Sequence, residues 1–339
     1  MRILYHGPLW YGSTSSQRVK AFCQFSEIEV IESNNAQPMG TKWSLYARIR
    51  WKLRWPLDIA KENLALIQKV AACRPDIVMI DNSKVISRST LNQIRQICKP
   101  KLVYYSPDDV MQAHNVSHPL RLSLPEWDIF FTTKTFNIPE LRQAGVKRPL
   151  LVGKSFDPVL HSPMSPEEVG EEYESFDLVF IGSFERERCR SINALAEAGF
   201  RIVVYGEGLG RWNYRRLHPS IRLRPPVFAE EYRRCWHHGK LALCFLRKIN
   251  RDKITQRTME IAAMARPFMA EKTDEHDAHF EDGKEYVAFS NDDELIRLCK
   301  HWLVCDEQRR NLGLAARQRC HASRYSTLDR AKWMIEQLR

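Results

Sequence analysis

Short apolar strands alternate with helical stretches along almost the whole of this sequence, and that alternation limits the fold more than any other feature. In the first half Arg2–Tyr5 leads to Thr14–Phe25, and Ile77–Ile80 leads to Ser89–Ile97. Lys101–Tyr105 follows, Ile129–Thr132 leads to Phe136–Ala144, and Leu150–Val152 closes the series. Contiguous apolar runs of this kind mark strands buried on both faces, and in strand–helix order they imply a parallel sheet covered by helices. From Phe156 to Ser175 the pattern lapses into Asp157-Pro158, Ser162-Pro163, Ser165-Pro166 and an acidic run, turn and linker chemistry that builds no core. The alternation then restarts with Leu178–Ile181, Glu187–Glu197, Arg201–Tyr205, Ile221–Leu223, Ala229–Trp236, Leu241–Phe245, Thr255–Ala265, Pro267–Ala270 and Tyr286–Phe289. Asp292–Leu338 reads as two or three helices broken near Asp306 and near Ser323–Ser326. The expected class is α/β, with two Rossmann-like, doubly wound parallel-sheet domains facing a cleft. Their expected bounds are 1–155 and 176–322, with a linker over 156–175 and a final helix, 323–339, crossing back to the first domain.

A length of 339 residues agrees with two cores at roughly 150 residues each. The 44% hydrophobic and 27% charged residues suit packed globular domains and exclude a disordered chain. No charged leader, apolar signal core or long apolar run is read in the sequence, and the expectation is a chain that stays in the cytoplasm, at most peripheral to the inner face of the membrane. The nine cysteines form no Cys-x-x-Cys pair and read as reduced, structural residues. A net charge of +11 favours an anionic partner: nucleic acid, the inner face of a membrane or a phosphorylated substrate.

The segment Asn250–Met264 carries the most chemistry. A buried strand, Leu241–Phe245, runs into a cationic loop, Arg247–Lys253, and Thr255 or its neighbours begin a helix whose positive end would face the crevice. Backbone amides, the Thr255 and Thr258 hydroxyls and Arg251 or Arg257 suit a diphosphate, while Glu260 suits ribose hydroxyls. A solvated helix start with a capping threonine and surface ion pairs is the competing reading of the same residues. Gly182-Ser183 follows another strand, with Arg186 and Arg188 in the next helical turn, a second layout able to meet phosphate or simply a tight turn. Tyr205-Gly206-Glu207-Gly208-Leu209-Gly210 reads as a crevice loop able to touch a base.

The run around Glu260 resembles the C-terminal half of family 4 glycosyltransferases, and more closely the branch of spore maturation (CgeB-like) glycosyltransferases. In Met259-Glu260-Ile261-Ala262-Ala263-Met264, Glu260 stands where the family's second donor-contacting acid lies. Asp252, eight positions earlier, takes the place of the first, a glutamate in the family. Arg266-Pro267-Phe268-Met269-Ala270 is similar to the following family strand, and Thr273-Asp274-Glu275-His276 occupies the position of its glycine-rich sugar loop. Glu281–Glu285, Asn291–Leu295 and Arg324-Tyr325-Ser326 keep the family's order. Tyr104–Asp109 and Thr132–Asn137 resemble the spore-protein branch in the first half.

The resemblance implies a GT-B fold and retaining transfer of a sugar from a nucleotide-sugar, with a glycan, lipid-linked glycan or other molecule as the expected acceptor and no cofactor. Asp108-Asp109 lacks the intervening residue of a cation-clamping acidic motif and Glu275-His276-Asp277-Ala278-His279 lacks the His-Glu-x-x-His order, so no metal is expected. Arg188, Arg251 and Arg257 then become candidates for stabilising the leaving diphosphate. Gly182, Ser183, Gly206, Asn250, Asp252, Thr255, Thr258, Glu260, Asp274, Glu275 and His276 become candidates for holding the donor. Gly12, Ser13 and Asp108 would line the acceptor side, and Asp109 would act as a base, although helix and turn capping is the ordinary use of such residues.

Lys42–Trp55 mixes three tryptophans with five cations. Its composition suits a lipid headgroup region. The favoured reading is an amphipathic helix that buries Tyr46, Ile49 and Leu53. A nicotinamide-dependent oxidoreductase is the enzyme alternative, opposed by the missing Gly-x-Gly-x-x-Gly. A basic nucleic-acid-binding or scaffold protein is the other, opposed by the spread of basic residues over both halves.

Overall fold

The structure, a computed structural model, describes residues 1–35, 43–206 and 217–339. Lys42 and the loop residues Glu207 to Gly210 lie outside the described residues. The chain divides into two compact units, Met1–Gly153 with Arg330–Arg339, and Lys154–Asp329.

The first unit comprises β1 (Arg2–Gly7), α1 (Thr14–Phe22), β2 (Glu29–Asn34), α2 (Leu45–Lys52), α3 (Glu62–Cys73), β3 (Ile77–Asp81), α4 (Arg88–Cys98), β4 (Lys101–Ser106), α5 (His118–Ser123), β5 (Ile129–Thr132), α6 (Asn137–Gln143) and β6 (Pro149–Leu151). Its six strands are parallel in the order β2-β1-β3-β4-β5-β6. Alternate residues serve opposite faces. Ile3, Tyr5, Met79, Val103 and Phe131 pack beneath α1 and the chain's last residues, whereas Leu4, Val78, Ile80, Leu102 and Tyr104 meet Leu66 and Val70 of α3 and Leu91 and Ile94 of α4. Each such side chain contributes about 1.5–3 kcal/mol by leaving water.

The second unit holds α7 (Pro166–Val169), β7 (Phe176–Ile181), α8 (Arg186–Glu197), β8 (Ile202–Tyr205), β9 (Arg222–Arg224), α9 (Ala229–Trp236), β10 (Gly239–Cys244), α10 (Gln256–Ala263), β11 (Phe268–Glu271), α11 (Asp274–His279), β12 (Val287–Phe289), α12 (Asp292–Val304) and α13 (Asp306–Ala322). Its sheet is also parallel, in the order β12-β11-β10-β7-β8-β9. The final helix, α14 (Thr327–Leu338), begins in the second unit, and its Ala331, Met334, Ile335 and Leu338 join the core of the first.

Helix starts follow local chemistry. The side chains of Ser13, Ser44, Ser87, Ser117, Ser165, Thr255, Thr273 and Asn291 each accept a hydrogen bond from an amide of the first turn. At α3 the cap comes from farther back: Asp58 accepts from the amides of Glu62 and Asn63 at 2.6 and 2.9 Å, while Lys61 takes a left-handed conformation.

Residues 156–175, expected as a linker without a core, lie inside the second unit. Phe156 is buried among Val179, Met259 and Phe268, and its backbone exchanges bonds with Tyr325 and Thr327. Ser165 and Glu168 form a capping box at α7, and Val169 is buried. Prolines here shape turns that return to a core.

Candidate functional site

In each sheet the first strand has its successor on one side and a later strand on the other, so a crevice opens at the carboxyl ends between them. In the second unit this switch point lies between β7 and β10. Gly182 directly follows one strand and Phe245 the other, and Arg188 bridges the two loops: Nη1 donates to the Ser183 carbonyl at 3.1 Å and Nη2 to the Phe245 carbonyl at 3.3 Å. Arg188 is buried, and its Nε has no hydrogen-bond partner among the described residues. Burial, and then the neighbouring Arg257, push its guanidinium down to about 10.

Arg257, in the first turn of α10, lies over Gly182. A Cβ at that glycine would sit 3.2 Å from the Arg257 Cζ and Nη2. Among the described residues no carboxylate lies within 4 Å of either guanidinium. Two neighbouring cations at a sheet switch point, beside the start of a helix, are an arrangement whose charge suits an anion. Arg247, next in the loop, is 3.3 Å from Glu185.

The loop after β10 is fastened to the one after β11. Glu271 accepts from the Leu246 amide at 2.8 Å and pairs with Lys248, Lys253 pairs with Asp274 at 2.6 Å, and the Thr273 hydroxyl donates to the Lys253 carbonyl at 2.6 Å. Asn250 is buried and donates to Asp252 Oδ1 at 2.8 Å, and Arg251 turns the chain in a left-handed conformation, φ 46°. Asp274 is exposed, whereas Glu275 is half-buried. Gly206 directly follows β8, its amide bonded to the Arg224 carbonyl at 3.3 Å.

Farther down α10, Glu260 is buried. Its Oε2 accepts from the Tyr232 hydroxyl at 2.5 Å, and its Oε1 lies 4.0 Å from His161 Nε2 with no hydrogen-bond partner among the described residues. Since His161 Nδ1 accepts from the Asp157 amide at 2.9 Å, the Nε2 proton faces Glu260. Burial pushes the His161 imidazolium down and raises the Tyr232 phenol. Neither partner was singled out in the sequence: His161 sits in the supposed linker and Tyr232 on an ordinary amphipathic helix.

Two candidates for direct contact prove interior. Thr258 is fully buried, with its hydroxyl 3.2 Å from that of Thr255, 3.4 Å from Cys244 Sγ and 3.1 Å from His276 Nε2. His276 is also fully buried, and its Nδ1 lies 2.9 Å from the Glu271 carbonyl. A carbonyl only accepts, so Nδ1 carries the proton and Nε2 accepts from Thr258. This chain ties β10, α10 and α11 together, so Thr258 and His276 position the helix from within.

Burial holds His276 down at about 4 and His237 at about 3, so both are neutral at pH 7. In the unfolded chain they titrate near 6.5, so between these values the unfolded state binds more protons than the folded one. Stability of the second unit is expected to fall by about 3 kcal/mol for each histidine as pH drops from about 7 to about 4. Denaturant melts across that range check this; a midpoint that stays constant would show that neither imidazole is held neutral.

In the first unit the switch point lies between β1 and β3. A Cβ on Gly7 would come 2.8 Å from the Asp81 Cβ. Asp81 is buried and binds Arg18 Nη2 at 2.5 Å and the Tyr5 hydroxyl, while the Arg18 guanidinium stacks 4.0 Å from the Tyr105 ring centre. Gly12 sits in the following turn at φ 86°, and Ser13 caps α1. Asp108 is half-buried. Asp109, expected as a base, is fully buried and accepts from Asn137 Nδ2 at 2.8 Å and from the Met111 amide at 3.1 Å, so it holds the loop after β4. The sequence reading also missed Glu62, whose Oε2 meets His6, Asn35 and Ser83 within 3.1 Å. These partners hold its carboxyl below its usual range against the cost of burial.

Comparison with known proteins agrees with this architecture. Sucrose-phosphate synthase from Thermosynechococcus elongatus superposes with a TM-score of 0.71 at 12% identity, covering 99% of this chain and 98% of its own. HepE of Anabaena, in complex with UDP and glucose, does so at 0.70 and 12%, covering 100% and 99%. The fold is GT-B. A putative UDP-N-acetylglucosamine 2-epimerase from Listeria monocytogenes shares it at 0.57 and 13%, covering 99% and 94%. Within this GT-B chain, residues 186–336 match the model of a family described as glycosyl transferase-like, a span that begins at α8 and contains Arg188, Arg257 and Glu260. No curated protein matches the sequence.

Proposed function

We propose that the protein is a glycosyltransferase that takes a sugar from a nucleotide-sugar, with the second unit holding the donor. One observation carries the reading: Arg188 and Arg257 stand together at the switch point of the sheet, without an acidic partner among the described residues, inside the span that matches the glycosyl transferase-like family. The two guanidiniums and the first-turn amides of α10 take the diphosphate, and Glu260 Oε1 takes a ribose hydroxyl. Asn250, Asp252, Asp274 and Glu275 are kept as donor-side residues of the fastened loops, and Arg251 as a further cation. Gly12, Ser13 and Asp108 are kept on the acceptor side, toward a glycan or lipid-linked glycan.

The chemistry follows from charge. Negative charge grows on the departing diphosphate as the glycosidic bond breaks, and fixed cations lower that barrier without reorganising. Supplying this charge from arginine makes transfer metal-independent in this proposal. The resemblance to family 4 and the spore-protein branch supports a retaining outcome. The UDP present in structures of HepE makes UDP the first nucleotide to try.

A thermal-shift screen of the full chain against UDP, GDP, ADP, CMP, their sugar conjugates and NAD tests the proposal. Stabilisation by one nucleoside diphosphate, lost in Glu260→Ala, is the expected result. A response to NAD alone, or an unchanged response in Glu260→Ala, contradicts the donor assignment. Conversion of a nucleotide-sugar to its epimer without release of nucleoside diphosphate would instead favour an epimerase.

A further inference from the structure

The helix α2 was expected to bury Tyr46, Ile49 and Leu53, and the structure reverses this. Ala47 is its one buried residue, while Leu45 is 71% exposed, Tyr46 61%, Ile49 47% and Leu53 61%; Trp51 and Trp55 are exposed as well. The segment is nonetheless held firmly. Trp43 and Trp51 pack edge to face at 5.1 Å, Trp55 stacks on His118 at 4.9 Å, and the His118 amide donates to the Arg54 carbonyl at 2.7 Å. Arg48, Lys52 and Arg54 are exposed among these apolar side chains. Beside the helix opens a cavity of about 350 Å³, with Trp51, Lys52, Arg54, Lys84, His114 and Ser117 in its wall and no carboxylate among its lining residues. Lys84 Nζ lies 5.4 Å from the Trp51 ring centre.

We propose that α2 and this cationic cavity form a seat for an anionic phospholipid bilayer. The exposed Leu45, Tyr46, Ile49 and Leu53 enter the boundary between headgroups and acyl chains, the tryptophans lie at headgroup level, and the cavity takes a lipid phosphate. A contiguous apolar patch of this kind calls for a covering partner. The cations select which: a second copy would bring Arg48, Lys52 and Arg54 against their own counterparts, whereas an anionic bilayer satisfies the apolar and the charged side chains together. Among the described residues no helix is long and apolar enough to cross a membrane. The proposal is independent of the donor site, which lies in the second unit.

The test is co-sedimentation of the full chain with vesicles of phosphatidylcholine alone and of phosphatidylcholine with phosphatidylglycerol, at low and high salt. Binding to the phosphatidylglycerol vesicles, weakened by salt, is expected. Tyr46→Ser/Ile49→Ser/Leu53→Ser is expected to lower it at least about tenfold while keeping the wild-type melt, because these side chains pack little of the core. Should that variant lose its fold, Arg54→Ser/Lys84→Ser decides: at about 1 kcal/mol for each cation, binding falls roughly 25-fold. The proposal is overturned if the wild type ignores anionic vesicles, binds both compositions equally, or binds as well after Arg54→Ser/Lys84→Ser. A patch that changes oligomeric mass while vesicles are ignored would identify a copy-to-copy contact and overturn it too. Nucleoside diphosphate binding is measured in the same variants and is expected to be unchanged, which separates failure here from failure of the donor assignment.

Discussion

Arg257→Ala is expected to lower the rate of nucleoside diphosphate release by about 10²–10³-fold, the usual cost of removing one preorganised charge donor from a transition state. The effect should fall mainly on kcat, because charge on the leaving diphosphate is greater in the transition state than in the bound donor. Arg188→Ala is expected to act in the same direction but also to loosen the fold, since Arg188 ties the Ser183 and Phe245 carbonyls across the β7–β10 edge. Gly182→Ala perturbs the same place without removing a charge: its methyl would lie 2.9 Å from the Phe180 ring and 3.2 Å from the Arg257 guanidinium, so both must shift. Steady-state kinetics with the donor found by thermal shift, together with calorimetry of nucleoside against nucleoside diphosphate, make the comparison. If Arg257→Ala keeps both kcat and diphosphate affinity within about twofold, this guanidinium does not serve the leaving group.

Arg18→Met is expected to destabilise the first unit by about 3–5 kcal/mol, because it leaves the Asp81 carboxylate buried without its cation. Asp81 Oδ1 already lacks a hydrogen-bond partner among the described residues, so no donor there can compensate. For a unit of this size the loss corresponds to a fall in Tm of roughly 10 °C. Replacing both partners, Arg18→Met/Asp81→Leu, is expected to recover much of it, since two apolar side chains carry no charge to desolvate. Calorimetric scans of the three proteins settle the matter. Equal melting of Arg18→Met and wild type would mean that water reaches the pair.

Much of the architecture was legible because parallel strands buried on both faces are written as contiguous apolar runs. Leu178–Ile181, Leu241–Phe245 and Ile129–Thr132 were each found within a residue or two of the observed strands. The edge strand Glu29–Asn34 escaped notice because one side is open to water and its residues are largely polar. Helix α3 escaped because its cap, Asp58, lies outside the usual position. At the candidate site the residue types were legible and their orientations were not. Thr255 and Thr258 carry the same hydroxyl in one helical turn, yet Thr258 faces Cys244 and His276 in the interior. Asp109, next to the half-buried Asp108, is fully buried.

The local and periodic part was therefore legible in the residues alone: strand and helix order, two parallel α/β sheets, and the set of cations and acids available after each strand. Those depend on neighbours a few residues away or on hydrophobicity repeated along the chain. Which of them meet depended on packing between distant parts of the chain. It placed Arg257 over Gly182, brought His161 from the supposed linker and Tyr232 from α9 onto Glu260, and left Tyr46, Ile49 and Leu53 in solvent. The reason is physical: burial and pairing are set by what packs across the fold from distant parts of the chain, and a helix with an apolar face looks the same in sequence whether a core or a membrane surface is its partner.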